Sequence, residues 1–340
     1  MKNNSSVKIC TGFITYNEGT VKYLPYFLPS LKNQTYKNIK ILAVDNSEFK
    51  NNKNSSYLKN NFPKIDLKWV GKNLGFARAF NLMIRQAFKA EAEYFLALNP
   101  DMILEPDLID ELVKAIQADE KIAAVQPKIL RWDFEKNIKT NIIDSYGIIC
   151  DQKFRFRDNG QGESDFKISS GSEQIFGFTG AAVLLRLAAV EDIAYHNQYF
   201  DELMFMYKED CDLSLRLRLA GWKIVLAPAA VVYHDRTNSR VGDSMWQIIK
   251  NRSGKKRKLK QWSFFGQMII VLKYYRQAFS PKTKFWIFWY QAEILVFAVL
   301  FEQYLLKELF KLWRIKAEIK KRRDGLKIRV ALREIEKLMS

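Results

Sequence analysis

The sequence predicts an α/β fold, with a mostly parallel central sheet flanked by helices and a C-terminal helical extension. Three observations lead there. Strand-like apolar runs alternate with amphipathic helical runs over the first 250 residues, polar clusters punctuate the strand ends, and the charge balance changes after Asn251. Strands alternating with helices imply βαβ units and a largely parallel sheet. Such sheets take ligands beyond the carboxyl ends of their strands.

The elements follow in order. Residues 7–16 read as a buried strand, broken by Asn17-Glu18-Gly19. A helix over 22–34 places Leu24, Phe27, Leu28 and Leu31 on one face. The strand 39–44 stops at Asp45-Asn46-Ser47. The pattern repeats with a helix over 55–61, a strand over 67–70 and a helix over 76–90. A strand over 94–98 ends at Asn99-Pro100-Asp101, and a helix over 107–119 and a short strand over 123–126 come next. Residues 131–175 are polar, with Asp158-Asn159-Gly160 and Ser169-Ser170-Gly171 as turn signals, and predict an irregular insert of short strands. Then come an apolar strand over 176–186, a helix over 210–220 ended by Gly221, and a strand within 222–232.

The chain of 340 residues suits one large domain and an appendage, and its net charge of +18 is concentrated at one end. Residues 252–340 hold 22 Lys and Arg against 7 Asp and Glu, a net of +15, whereas the rest is close to balance. We therefore divide the chain into a main α/β domain over 1–250 and a basic, aromatic-rich helical region over 251–340. A basic block implies an anionic partner, a membrane surface or nucleic acid. Here the basic residues are interleaved with long apolar runs, unlike an exposed stacking groove, so no nucleic acid is expected. Residues 264–279 predict an apolar helix, and residues 285–306 carry only Glu293 and Glu302 as charges. Over 305–323 a basic amphipathic helix places Leu306, Leu309, Phe310, Trp313 and Ala317 on one face. Spanning a bilayer would place two acids in or near hydrocarbon on opposite sides of one helix. Helices lying in the interface fit better, although a span or a subdomain packed on the core stays open. Cys10, Cys150 and Cys211 are widely spaced and predict a reducing compartment, and the first residues lack a signal-peptide core. The cytoplasmic face of a membrane is the expected location.

Three clusters could carry chemistry. Asp101, directly after a strand, could hold a divalent cation against a diphosphate, although Asn-Pro-Asp is also a good turn. Glu209, Asp210 and Asp212 open a helix, where they either complement its dipole or supply a general base. His234, one of two histidines, ends another strand beside a polar loop with Ser239.

Taken in order, these segments resemble family 2 inverting glycosyltransferases of the GT-A fold, in particular the bacterial rhamnosyltransferase-like branch. The matching motifs are Ile14-Thr15-Tyr16-Asn17, Ala43-Val44-Asp45-Asn46-Ser47, the run from Lys72 to Asn81, Leu98-Asn99-Pro100-Asp101, the run from Gly180 to Arg186, Phe200-Asp201-Glu202, the run from Glu209 to Arg216, and His234 with Ser239. The resemblance covers about residues 7–240. It implies a nucleoside-diphosphate-sugar donor, a glycan or glycolipid acceptor and a divalent metal, Mg²⁺ or Mn²⁺. Thr15 and Asn17 would flank the nucleotide, and Asp45 would meet the base or ribose. Asn73, Gly75, Arg78 and Asn81 would line the diphosphate-sugar side, with Asn99 beside them. Asp101 would ligate the metal with His234 as second ligand. Asp210 would be the catalytic base, with Glu209 as second choice. Two positions depart from the family: Asn99 stands where an acid is common, and Arg78 where a small residue is common. A sugar-phosphate nucleotidyltransferase is disfavoured, because Thr15-Tyr16-Asn17-Glu18 lacks its glycine-rich, basic signature. Every matched motif lies before Arg240, so removing residues 252–340 is expected to leave the nucleotide pocket formed.

Overall fold

A computed structural model describes residues 7–165, 173–236, 254, 256–277 and 279–339. Ser239, Lys255 and the Ser169-Ser170-Gly171 turn lie outside the described residues.

The first half builds the parallel part of the sheet. Strand β1 (Ile9–Thr15), helix α1 (Leu24–Lys32), β2 (Ile39–Asp45), α2 (Lys53–Asn61), β3 (Asp66–Trp69), α3 (Gly75–Lys89) and β4 (Tyr94–Leu98) follow one another as expected. The buried face of α1 is Leu24, Phe27, Leu28 and Leu31. Neighbouring strands β1, β2, β3 and β4 pair in parallel, so their carboxyl ends share one edge. Thr15 sits in register with Asp45 across that edge.

After β5 (Met102–Leu104) and α4 (Leu108–Gln117), the chain enters β6 (Ile122–Asp133), three times as long as the four-residue strand expected. Its extra length is paired on both sides, by the hairpin strand β7 (Ile138–Ser145) and by the late strand β12 (Lys223–His234). The insert continues with the small β8 (Ile148–Cys150) and β9 (Phe156–Asp158) pair, and β10 (Glu173–Gln174) edges the sheet. The expected strand over 176–186 shortens to β11 (Ala182–Arg186). Upstream of it, Phe178 N–H is taken by Ser214 Oγ (3.2 Å) and Thr179 N–H by Gln126 Oε1 (2.9 Å). Side chains there replace the ladder. The main strand order is β10-β12-β6-β11-β4-β1-β2-β3, mostly parallel, with β11 antiparallel to both neighbours. A register shift in β12 between Ala227 and Val231 falls at Pro228, which has no N–H to give the ladder.

Helix α5 (Leu187–Asp192) leads to α6 (Glu209–Leu219), which packs on two layers at once. Leu213 and Leu217 join the sheet-side core with Phe80, Phe95 and Phe200. Cys211, Leu215 and Leu219 join a separate cluster made largely by the tail. Gly221, at φ +88°, leaves the helix in the left-handed turn that favours glycine.

The tail forms α7 (Arg257–Tyr274), α8 (Pro281–Phe301), α9 (Leu306–Arg314), α10 (Lys316–Asp324) and α11 (Leu332–Lys337). The single helix expected over 305–323 is two, meeting at Ile315. Its buried side is Leu305, Glu308, Leu312 and Ile319, while Phe310 and Trp313 point outward. Glu302 ends α8 and turns inward to pair with Lys260 at 3.0 Å, so it is not an acid on the helix face. All three cysteines are buried and free.

The tail also completes a buried charge network. Lys273 of α7, fully buried, bonds Asp201 Oδ2 at 2.8 Å and also Asp212 Oδ1 of α6. Tyr274 Oη donates to Asp212 Oδ1 (2.8 Å), Arg216 Nε to Asp212 Oδ2 (2.8 Å), and Arg322 pairs with Asp201 Oδ1 (2.9 Å). Removing one partner of a buried ion pair costs about 3–5 kcal/mol. Deleting residues 252–340 removes both Lys273 and Arg322 and opens the apolar face of α6. The shared core argues against a pocket that forms without the tail. A protein ending at residue 251 is expected to be insoluble or to lack a cooperative melt; a soluble fragment that melts cooperatively would show that the core closes without the tail.

Candidate active site

Four loops converge on the carboxyl edge of the parallel strands. The first follows β1. Thr15 is fully buried, and its Oγ1 has no hydrogen-bond partner among the described residues. Asn17 is exposed, in the left-handed region at φ +48°, and its N–H bonds Ser47 Oγ at 2.9 Å.

The second loop follows β2 and is organised by Asp45. Ser47 donates to Asp45 Oδ1 from its N–H (3.1 Å) and its hydroxyl (2.6 Å), and Asn52 donates to Oδ2 at 2.6 Å. Asn52 also caps α2, accepting from Ser55 N–H. Asp45 is fully buried, and its carboxylate is engaged by Ser47 and Asn52 within its own loop.

The third loop opens α3. Asn73 Oδ1 accepts from Gly75 N–H (2.8 Å), and Asn46 spans the gap between loops by donating to Gly75 O (3.1 Å). Gly75 has φ +72°, and a Cβ there would lie 2.2 Å from Phe205 O, so backbone approach and conformation both require glycine. Arg78 reaches outward, its side chain 56% exposed and 3.5 Å from Glu202. Asn81 does not line the cleft surface: it is fully buried, accepting from Tyr199 and Phe200 N–H and donating to Phe200 O and Glu202. It staples α3 to the 199–202 loop.

The fourth group joins β4, β5, β11 and β12. Asn99 N–H bonds Ala181 O at 2.8 Å, which brings Gly180 alongside. Gly180 N–H in turn donates to Asp210 Oδ2 at 3.0 Å, while Asp210 Oδ1 accepts from Cys211 N–H. A Cβ on Gly180 would lie 2.9 Å from the Phe76 ring, so α3, β11 and the start of α6 meet here. Glu209, next to Asp210, is buried with Oε2 lacking a hydrogen-bond partner among the described residues. Burial, and then the Asp210 charge, raise its carboxyl well above the usual range.

His234 pairs in register with Met102, which sets it against Asp101: Nε2 lies 3.3 Å from Asp101 Oδ1. Its other nitrogen lies 2.8 Å from Asp144 Oδ2, and Arg236 pairs with Asp144 Oδ1 at 3.2 Å. Burial opposes a charge on this imidazole, but Asp101 and then Asp144 outweigh it and raise His234 to about 10. Asp101 Oδ1 is buried and has no hydrogen bond of good geometry among the described residues. A carboxylate facing an imidazole whose far nitrogen is oriented by a second carboxylate is a donor set that fits a divalent cation. No group of three or more His, Cys, Asp or Glu suited to a metal occurs among the described residues, so further ligands would come from phosphate or water.

Asp144 was not legible beforehand, because it lies in the insert and belongs to no motif. Phe205, in the loop ahead of α6, likewise belongs to no motif. The signal available for it was indirect: Gly75 needs a neighbour that excludes side chains.

The fold is GT-A-like. Residues 12–191 match the model of glycosyl transferase family 2, and the chain belongs to that family. It is 25% identical over 239 residues to N-acetylglucosaminyl-diphospho-decaprenol L-rhamnosyltransferase of Mycobacterium tuberculosis (strain ATCC 25618 / H37Rv), covering 66% of this chain and 75% of that protein. It is 29% identical over 171 residues to rhamnosyltransferase WbbL of Escherichia coli (strain K12), covering 48% of this chain and 60% of that one. Among solved structures, GalNAc-T7 with UDP, GalNAc and Mn²⁺ superposes with a TM-score of 0.53 at 14% identity, over 84% of this chain and 55% of that one. S. aureus TarS superposes with a TM-score of 0.51 at 15% identity, over 87% and 44%. The chain thus spans about half the length of these two structures, and at such identities they bear on the fold alone.

Proposed function

We propose that this protein transfers a sugar, by one inverting displacement, from a nucleoside-diphosphate sugar to a hydroxyl of a lipid-linked glycan at the cytoplasmic face of a membrane. The rhamnosyltransferase relatives favour a rhamnosyl donor and a diphospho-polyprenol-linked acceptor. The observation that carries the reading is the Asp210 carboxylate, which is only partly buried and hydrogen-bonded to Gly180 N–H at the meeting point of α3, β11 and the Asn99–Asp101 turn.

Asp210 takes the proton of the acceptor hydroxyl as that oxygen attacks the anomeric carbon. Glu209 is a poor second choice, since it is buried, and burial and then the Asp210 charge disfavour its ionised form. Thr15, Asn17, Asn73 and Gly75 shape the nucleotide-diphosphate side, and half-exposed Arg78 would exchange Glu202 for a phosphate. Asp45 and Asn81 hold those loops in place. Asn99 keeps β4 against Ala181. Asp101 and His234 would hold a divalent cation, which supplies charge neutralisation for the departing diphosphate.

The membrane part of the reading rests on α8. Trp286 lies under Lys153 and Tyr290 under Arg155, while Ile287 and Ala298 are buried, so one face is packed on the protein. Phe285, Phe288, Trp289, Val296, Val299 and Leu300 are all exposed and fall within about 120° of the helix circumference. The helix is long and apolar enough to cross a bilayer. Being packed along one face and apolar along the other fits a helix lying in the interface better. Exposed Phe310 and Trp313, with Arg314 and Lys316 over their rings, extend the same chemistry of aromatic and cationic groups.

Three outcomes are expected. Asp210→Asn abolishes transfer and leaves nucleoside diphosphate affinity within about twofold in calorimetry; near-normal turnover in the folded variant would move the base elsewhere. Nucleoside diphosphate binding requires Mn²⁺ or Mg²⁺, and Asp144→Asn weakens the metal-dependent part by about 10–100-fold. Equal affinity in EDTA would remove the metal from the mechanism. Finally, the protein co-sediments with phosphatidylglycerol vesicles at low salt, and Phe288→Glu with Trp289→Glu releases it. Binding to oligonucleotides that matched vesicle binding would favour nucleic acid instead.

A further inference from the structure

We propose that the first tail helix, α7, is a positioning element for the base: it fixes the turn ahead of α6 so that Asp210 faces Gly180. The proposal rests on reading Asp210 as the base. The turn needs holding. Tyr207 and Lys208 are consecutive non-glycine residues at φ +71° and +77°, and left-handed backbone of this kind persists only where the surroundings over-determine it.

One face of α7 supplies those surroundings. Trp262 packs on Phe205, ring centroids 4.7 Å apart. One turn on, Gly266 lies so close that a Cβ would be 2.7 Å from Tyr207 O and 3.0 Å from Lys208 Cβ. Two turns further, Lys273 and Tyr274 hold Asp212, two residues beyond Asp210. The helix therefore grips the chain on both sides of Glu209-Asp210. The same grip reaches the donor side, because Phe205 O accepts from Phe76 N–H (2.8 Å) at the start of α3.

No residue of α7 needs to touch substrate for this role. The helix is also tied to the membrane-facing elements, through Lys260 to Glu302 (3.0 Å) and Gln261 to Glu308 (2.9 Å). Seating of α8 and α9 is thereby transmitted to the base turn by side-chain contact.

The test uses the full chain and avoids Lys273, whose loss would strand two buried carboxylates. Gly266→Ala adds one methyl against Tyr207 O while raising intrinsic helix propensity. Trp262→Leu removes the ring over Phe205. Each variant is expected to melt within a few degrees of the parent and to bind nucleoside diphosphate within twofold. Each is expected to lose tenfold or more in kcat, with donor KM little changed; Trp262→Phe recovers most of it. Parental kcat in both folded variants would overturn the proposal, as would a fall in nucleoside diphosphate affinity that matched the fall in kcat. Asp210→Asn run in parallel separates the two readings. Full turnover there defeats the base assignment, whereas an inactive Asp210→Asn beside unaffected α7 variants defeats only the positioning role.

Discussion

The structure depends on burying a charged helix from all sides. Every residue of α6 from Cys211 to Leu219 is buried, including Asp212, Arg216 and Arg218. Asp212 pays for its burial with three partners, two of them cations, and stays ionised: burial would raise its carboxyl, but Lys273 and then Arg216 pull it below the ordinary range. Arg218 has no carboxylate partner among the described residues. It spends its guanidinium on the carbonyls of Ile175, Phe176 and Ile224, and burial lowers it to about 10. These bonds tie the segment leading to Gly180, helix α6 and β12 into one block. The first turn of α6, with Glu209 and Asp210, is what that block presents to the cleft.

The other half of the site follows from sheet geometry. Parallel pairing aligns the ends of β1, β2 and β4, and the antiparallel β11 folds back so that Gly180 arrives beside Asn99. Side chains belonging to distant parts of the sequence meet because these strands end on one edge. The polar atoms left over there are informative. Thr15 Oγ1, Asp101 Oδ1 and Glu209 Oε2 are all buried without a hydrogen-bond partner among the described residues. Buried polar groups are normally satisfied, so these three atoms at the strand ends leave hydrogen-bonding capacity for a polar ligand.

Much of this was legible from the chain. Alternating strands and helices have strong periodicity, and Tyr94–Leu98 was bounded correctly by the apolar run and the Asn-Pro-Asp that ends it. Motif positions such as Gly75 and Asp101 were also visible, because glycine and strand-end acids carry their physical reason locally. What failed was whatever depends on tertiary partners. Asp45 and Asn81 are polar residues in the right motifs, yet their hydrogen bonds close inside the protein. Asp144 finds His234 across ninety residues. In the tail, helical periodicity grouped Phe310 and Trp313 with Leu306 and Leu309, but the core chose the Leu305 and Leu312 side, and helix α9 rotated accordingly.

A helix with no free face has a consequence for how such a protein changes over generations. Leu213 and Leu217 answer to the sheet, and Cys211, Asp212, Leu215 and Leu219 to the tail. A substitution that suits one layer is judged at once by the other. A replacement tail would have to set a cation where Lys273 stands, because Asp212 is buried and would otherwise lose a charged partner, so the two parts are constrained to change together.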